Sequence, residues 1–168
     1  YLMSGKIPKR LGNQHANIVP YQTFQTSDGE IVIAVGNDNQ YKAFCNVLGR
    51  PEWSTDERFA TNPDRVKNRE QLVPLIQEVL RTKPTAYWQE RCNENNIPCG
   101  PIQNLEQVVN DPQLIAREMF IEAEHPTAGK IKMIGSPLKF SRTPVSYRLH
   151  PPDHGEHDEE IKEKTIIN

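Results

Sequence analysis

Residues 12–35 read GNQHANIVPYQTFQTSDGEIVIAV, and the second half of this stretch decides the fold. Two runs rich in aromatic and β-branched residues, Tyr21–Thr26 and Glu30–Val35, flank the triplet Ser27-Asp28-Gly29. The Asp-Gly pair supplies the positive φ angle that a tight turn requires, so the pattern predicts a β-hairpin. The polar segment Gly12–Pro20 is predicted to be a loop before this hairpin, either a simple entry to the first strand or a loop held against a ligand.

The composition excludes several classes of partner. A chain of 168 residues predicts one domain, or one and a half. The formal net charge of -2 predicts neither nucleic-acid nor anionic-membrane binding. No apolar run approaches the roughly 18 residues that a membrane span needs, and no signal-peptide pattern opens the chain. The three cysteines include no C-x-x-C pair, which favours a reducing compartment such as the cytoplasm.

Helical periodicity follows the hairpin. In residues 40–48 apolar side chains recur at i, i+3, i+4 and i+7. The triplet Gly36-Asn37-Asp38 before them ends the strand and offers an N-cap, and Gly49 is predicted to end the helix. Another helix is predicted from Asn68, with a kink or a late start at Pro74, and a third from a cap at Thr82. The remaining predicted elements are a crossing segment at Cys99–Gln103, helices at 105–109 and 112–119, and strands at Phe120–Glu124 and Lys130–Ile134.

This order of hairpin, helices and hairpin predicts an α+β fold with both hairpins in one antiparallel sheet. Pro144, Pro151 and Pro152 predict an extended return linker, followed by a charged tail over His154–Lys164 that is weakly helical at best. The predicted organisation is a linker and loop over 1–20, a small α+β domain over 21–141, and a return linker and tail over 142–168. Because the opening ten residues show no amphipathic period, we expect this chain to be part of a longer protein.

Other constellations favour structural interpretations. The tail contains His150, His154 and His157, interleaved with acidic residues. Nothing in a proline-rich segment fixes the geometry of a metal site, so we predict no bound metal. Cys99 has no local base or cation to lower its pKa, which favours a packed thiol over a nucleophile. Trp53 and Trp88 are predicted to be core anchors.

Several motifs, in order along nearly the whole chain, resemble those of the family III CoA-transferases, the CaiB/BaiF group that includes the carnitine and formyl-CoA transferases. The matching motifs are Gly12-Asn13-Gln14-His15, Val19-Pro20-Tyr21, Asp28-Gly29, Phe59-Ala60-Thr61-Asn62, Arg65-Val66-Lys67-Asn68-Arg69, Ile97-Pro98-Cys99-Gly100-Pro101, His125-Pro126, Gly135-Ser136-Pro137 and Gly155-Glu156-His157.

The resemblance implies a two-domain subunit that forms an interlocked homodimer, of which this chain is the C-terminal portion. It implies CoA transfer between small carboxylic acids, of which dicarboxylic acids are favoured, with the CoA thioester as a substrate and no tightly bound cofactor. The family's nucleophile is an aspartate in the N-terminal half, so no residue here inherits a catalytic role and Asp28 is assigned to its turn. We therefore expect this chain alone to be inactive. The compartment implied is cytoplasmic, or mitochondrial in a eukaryote.

The candidate substrate-binding residues are Gly12, Asn13, Gln14 and His15. In formyl-CoA transferases the corresponding segment resembles a glycine-rich loop that covers the active site. Here only Gly12 is a glycine, and the amide and imidazole groups that follow are suited to donating hydrogen bonds to a substrate carboxylate. Histidine side chains also change charge near neutral pH.

Two further interpretations stay open. The chain is also compatible with a non-catalytic binding or assembly module, such as a truncated gene product. A third alternative is an acyl-CoA racemase of the same family, which acts by proton abstraction at the α-carbon. The sequence Gly-Asn-Gln-His followed by Pro-Tyr favours the transferases.

Overall fold

The hairpin at the start of the chain forms as predicted. In this computed structural model, β1 (Tyr21–Gln25) and β2 (Glu30–Ala34) pair antiparallel, with Tyr21 opposite Ala34. The structure describes residues 2–3, 5, 7 and 9–165. The predicted linker over 1–20 and tail over 142–168 therefore each include positions outside the described residues, and the three predicted ranges stay predictions.

The chain divides into two units, Tyr1–Ile102 and Gln103–Asn168. The first unit continues after the hairpin with α1 (Asp38–Val47), a 3₁₀ turn (Pro51–Ser54), α2 (Asn62–Lys67), α3 (Arg69–Leu80), α4 (Thr85–Glu94) and β3 (Cys99–Pro101). The second unit contains α5 (Leu105–Val109), α6 (Pro112–Ala116), β4 (Phe120–His125), β5 (Gly129–Ile134) and α7 (Asp158–Thr165). The fold is α+β, as predicted.

The expectation that both hairpins share one sheet is wrong. β4 and β5 form a separate two-stranded sheet, and the free edge of β2 pairs with β3, so the first sheet has the order β1-β2-β3. The segment of β3 was predicted only as a crossing. Its three residues, Cys-Gly-Pro, have little strand propensity of their own, and the pairing comes from the exposed edge of β2.

Helix boundaries follow local capping signals closely. The Asn37 side chain accepts a hydrogen bond from the Gln40 N–H at the start of α1, and Gly49 has the predicted left-handed φ of 67° after its end. Asn104 and Gln107 form a reciprocal capping box on α5. α6 ends at Ala116, short of the predicted Met119. α3 begins at Arg69 and contains Pro74, so its start is not delayed to the proline.

The core of the first unit lies between the sheet and its helices. Trp88 is 3% exposed and its indole N–H donates to the Leu80 carbonyl at 2.8 Å, which confirms it as a core anchor, whereas Trp53 is partly buried at the margin. In the described part of the chain, every fully buried large apolar side chain belongs to this unit. The buried set includes Phe24, Ile31, Ile33, Val35, Tyr41, Phe44, Phe59, Leu72, Ile76, Leu80, Cys92 and Ile97.

The cap of α4 comes from the hairpin turn and not from Thr82, which corrects the predicted cap. Asp28 accepts hydrogen bonds from the Thr85 N–H at 2.7 Å, the Thr85 hydroxyl at 2.9 Å and the Thr26 hydroxyl at 3.1 Å. The Thr85 donors hold the pKa of Asp28 below its usual value. Asp28 is therefore a structural residue that ties the hairpin turn to a helix 57 positions further along the chain.

We expect Asp28→Asn to lower the melting temperature at neutral pH by an amount that shrinks on acidification. A carboxylate with a lowered folded-state pKa stabilises the fold above its unfolded-state pKa of about 3.9 and loses this effect as the pH falls through the folded value. Thermal unfolding of both proteins between pH 7 and pH 2 measures the difference. The control Glu94→Gln removes an exposed carboxylate from the other end of α4 and should not show this closing difference. If the melting temperatures of the parent and Asp28→Asn differ by the same amount at every pH, the assignment of the Asp28 carboxylate as the cap of α4 is contradicted.

Candidate functional site

The Gly12–Pro20 loop is bonded to the first sheet at His15 and at its last residue, Pro20. The His15 N–H donates to the Tyr21 carbonyl at 2.9 Å, and the Val35 N–H donates to the Pro20 carbonyl at 2.9 Å. The imidazole of His15 stacks on the ring of Tyr21, with centroids 5.2 Å apart and an interplanar angle of 12°. The end of the loop is buried, with Val19 only 2% exposed. The loop is thus an ordered part of the first unit.

A row of three side chains from α2 and α3, which we call the polar ladder (Asn62, Arg65 and Arg69), holds the loop. Asn62 accepts from the Val19 N–H at 3.2 Å and donates to the Asn17 carbonyl at 2.8 Å. The Nε–H of Arg65 donates to the Val19 carbonyl at 2.7 Å. These bonds satisfy backbone groups of an irregular segment that has no strand or helix to pair with.

Arg69 completes the ladder at the other end of the loop. One terminal nitrogen donates to the Oε1 of Gln14 at 3.0 Å, and the other donates to the carbonyls of His15 at 2.8 Å and Ala16 at 2.9 Å. The planar guanidinium therefore spans three acceptors from three successive residues. Such a fork of donors fixes both the backbone path and the rotamer of Gln14.

One acceptor atom in each of the side chains of Asn13, Gln14 and His15 accepts a hydrogen bond from elsewhere in the chain. Asn13 Oδ1 accepts a backbone N–H from β1 at 3.3 Å, Gln14 Oε1 accepts from Arg69, and His15 Nδ1 accepts the Asn17 N–H at 3.1 Å. Because each partner can only donate, the acceptor atom of each side chain is identified unambiguously. The neutral His15 ring must then carry its proton on Nε2.

The same three side chains keep their donors. Nothing in the described part of the chain accepts a hydrogen bond from the amide groups of Asn13 and Gln14 or from Nε2–H of His15. Asn13 is exposed and the other two are half-buried, so these N–H groups are accessible to water or to a ligand. Unpaired N–H donors on a loop that an arginine holds are suited to binding an anion such as a carboxylate.

The charges around the loop strengthen this preference. Arg65 pairs with Asp38 at 2.8 Å. Arg69 forms no ion pair with any carboxylate among the described residues, and its contacts in the loop are all to neutral oxygens. The positive charge at Arg69 is therefore not neutralised locally, and it favours a negative ligand near Gln14 and His15.

Gly12 has a different role from the three residues that follow it. Its φ of 61° lies in the left-handed region, where a glycine is at no steric cost, and a Cβ added there meets nothing within 4 Å. The glycine sets the direction of the loop and offers no side-chain group to a ligand. Asn13, Gln14 and His15 lie together, while Gly12 is placed at the turn before them.

The polar ladder is the part of the site that sequence reasoning missed. Asn62, Arg65 and Arg69 were noted only as motif residues, without a role. Their spacing of i, i+3 and i+7 places polar side chains on one face of a helical segment, which is the signal that was available. A fully buried arginine in such a face requires acceptors, and the neighbouring loop supplies them.

The three cysteines are thiols whose burial lowers their reactivity. Burial raises the pKa of Cys45 to about 11 and that of Cys92 to about 12, and burial also raises the pKa of Cys99. Thiols with raised pKa values are poor nucleophiles, in agreement with the interpretation of Cys99 as a packed thiol. Among the residues that the structure describes, no three His, Cys, Asp or Glu side chains are grouped as metal ligands. In the same part, no helix is long and apolar enough to cross a bilayer.

Comparison with known proteins gives a consistent result. The family model described as CoA-transferase family III matches residues 1–158. Human succinyl-CoA:glutarate CoA-transferase is 36% identical over 166 residues, which cover 99% of this chain and 38% of the human protein. Succinate–glutarate CoA-transferase of Agrobacterium fabrum is 37% identical, with coverage of 96% and 40%.

A solved structure shares the fold. The crystal structure of a CAIB/BAIF family protein from Brucella suis superposes with a TM-score of 0.78 at 38% identity, covering 98% of this chain and 42% of that one. The chain thus spans about two fifths of the length of the relatives that it matches. These matches confirm the resemblance seen in the sequence motifs: the chain belongs to CoA-transferase family III.

Proposed function

We propose that this chain is the acid-binding part of a CoA-transferase that moves CoA between small dicarboxylic acids. Two relatives bear names that specify transfer between succinyl-CoA and glutarate or succinate and glutarate, which supports this substrate class. CoA thioester and free acid are both substrates, and no tightly bound cofactor is required. The homodimer implied by the family resemblance is part of the same proposal.

The observation that carries the proposal is the set of N–H donors on Asn13, Gln14 and His15. Their acceptor atoms already accept hydrogen bonds within the chain, whereas their N–H donors have no partner among the described residues. A carboxylate accepts such donors readily, and the nearby unpaired charge of Arg69 adds to the attraction. We assign these residues to binding a carboxylate of the acid substrate.

The chemical step is assigned to an aspartate outside this chain. Its carboxylate attacks the acyl-CoA carbonyl to give a mixed anhydride and free CoA thiolate. The thiolate then attacks the aspartyl carbonyl, releasing the first acid and leaving an aspartyl thioester. The acceptor carboxylate then attacks the aspartyl thioester, which gives a second mixed anhydride and frees the CoA thiolate. The thiolate attacks the acceptor's acyl carbonyl, which releases the new acyl-CoA and the aspartate. Because carboxylates and acyl groups exchange at similar energies, this route splits one difficult transfer into easier ones. The loop residues here bind and orient the acid.

We expect Gln14→Glu in the full-length protein to raise the KM for the acid. The variant keeps an oxygen for Arg69 but replaces the N–H donors by a second carboxylate oxygen, so the fold is retained and the substrate is repelled. Loss of one hydrogen bond to a charged group, about 1.5–3 kcal/mol, corresponds to a rise of about 10-fold to 150-fold. Steady-state CoA transfer from succinyl-CoA to glutarate, with the acid concentration varied, measures the change.

Gln113→Glu is the matched control. Gln113 is exposed and its side chain forms no hydrogen bond in the described part of the chain, so the variant adds the same charge without replacing a residue of the loop. An unchanged KM in Gln14→Glu contradicts the assignment of the loop to acid binding. The unmodified full-length protein should also be assayed for racemisation of an acyl-CoA. If it racemises the acyl-CoA and transfers CoA to no acid, the proposed function itself is overturned.

A further inference from the structure

Arg69 lies at the first residue of α3, outside the set of side chains assigned to the acid. It is half-buried, and every hydrogen bond of its side chain goes to the loop, namely to Gln14, His15 and Ala16. In contrast, Arg65 bonds to the loop end, to the α1 carboxylate of Asp38 and to backbone carbonyls near its own helix. The two arginines thus have different partners, and only Arg69 is committed to the donor residues.

Resting on the proposed function, we propose that Arg69 is the positioning residue that sets the affinity for the acid by fixing the donors of Gln14 and His15. The Arg69–Gln14 bond holds the Oε1 of Gln14 on the guanidinium and leaves its Nε2 amide without a partner among the described residues. The bonds to the two carbonyls hold the backbone at His15, where the Asn17 N–H already imposes the Nε2–H tautomer. Without Arg69 the Gln14 side chain loses the bond that fixes it, and the loop backbone loses two hydrogen bonds at His15 and Ala16.

The geometry requires an arginine. One nitrogen bridges two adjacent carbonyls, and the other reaches a side-chain oxygen, at distances of 2.8, 2.9 and 3.0 Å. A lysine ammonium is a compact point charge on a flexible stem, and it reproduces the charge but not this fork of donors. Arg69→Lys therefore separates the contribution of charge from that of position.

The position of Arg69 also distinguishes it from a purely stabilising residue. Arg69 is half-buried, whereas Arg65 is 0% exposed. A half-buried site left by Arg69→Ala is open to a small cation from solution. Added guanidinium ion can then occupy the same three acceptors, which a general loss of folding would not allow.

The test uses the full-length protein with Arg69→Ala, Arg69→Lys and the control Arg81→Ala. Arg81 follows the last residue of the same helix, is exposed, and its side chain has no hydrogen-bond partner in the described residues. We expect Arg69→Ala to raise the KM for the acid about tenfold or more while kcat changes less than about twofold. The KM of Arg69→Lys should lie between those of the parent and Arg69→Ala. Millimolar guanidinium should lower the KM of Arg69→Ala. The control Arg81→Ala should have the KM and kcat of the parent.

Hydrogen exchange gives a readout that is independent of activity. Arg69→Ala should speed exchange of amides in residues 12–18, where the His15 N–H bonds to Tyr21, and leave β2 amides unchanged. If the parent protein transfers no CoA but this exchange speeds up, the proposed function fails and the positioning of the loop by Arg69 stands. If the parent transfers CoA and the KM of Arg69→Ala is unchanged, or if kcat falls with no change in KM, the inference is overturned.

Discussion

Replacing Arg65 with methionine is expected to lower the free energy of unfolding of the first unit by about 3–5 kcal/mol. Arg65 is 0% exposed, and its guanidinium donates to the carbonyls of Val19 at 2.7 Å and Phe59 at 3.0 Å and to Asp38 at 2.8 Å. It also covers the ring of Tyr41, with Cζ 4.1 Å from the centroid. Methionine fills part of the volume but leaves buried carbonyls without a donor, and each of these costs about 1–3 kcal/mol.

Tryptophan fluorescence during urea unfolding measures this loss directly. Both tryptophans of the chain, Trp53 and Trp88, lie in the first unit and report on its unfolding alone. Arg91→Met serves as the control, because Arg91 is exposed and its side chain has no partner among the described residues. The control should superimpose on the parent curve. A superimposable curve for Arg65→Met instead shows that the buried guanidinium does not stabilise the fold.

Elements whose signals are local were predictable from the sequence. The Asp-Gly turn specified the first hairpin, the triplet Gly36-Asn37-Asp38 marked the break before α1, and Asn104 marked the start of α5. In each case the stabilising contact joins residues within a few positions of one another, so the pattern and the structure carry the same information. The substrate-binding role of residues 12–15 stays a prediction, although the structure does place three of them side by side.

Contacts between distant parts of the chain were not predictable in this way. The Asp28 carboxylate was recognised as a turn residue, but its role as the cap of α4 depends on Thr85, 57 positions away. Likewise, β3 is a strand only because β2 offers it an edge. The polar ladder is intermediate, since its helical spacing is visible in the sequence but its acceptors in the loop are not. Partners that the chain brings together only on folding escape a reading of local patterns.

The isolated chain is expected to show no CoA transfer and no covalent acyl adduct. An aspartate that carries an anhydride or thioester intermediate must be shielded from water, since hydrolysis otherwise competes with transfer. In the described part of the chain no carboxylate is buried. Asp28 is occupied by three donors, Asp38 by Arg65, and Asp111 by two backbone N–H groups of α6. All three carboxylates therefore serve contacts within the chain.

The measurement combines a transfer assay from succinyl-CoA to glutarate with intact-mass analysis of the chain after incubation with succinyl-CoA. Circular dichroism and the Trp88 fluorescence establish that the chain tested is folded, so an inactive sample is not simply an unfolded one. The full-length protein in the same assay supplies the positive control. Turnover above background, or an acyl or CoA adduct on any side chain, contradicts the assignment of the nucleophile to polypeptide outside this chain. If residues 12–15 bind the acid and an aspartate outside this chain takes the acyl group, only the full-length protein should transfer CoA, and the isolated chain should not.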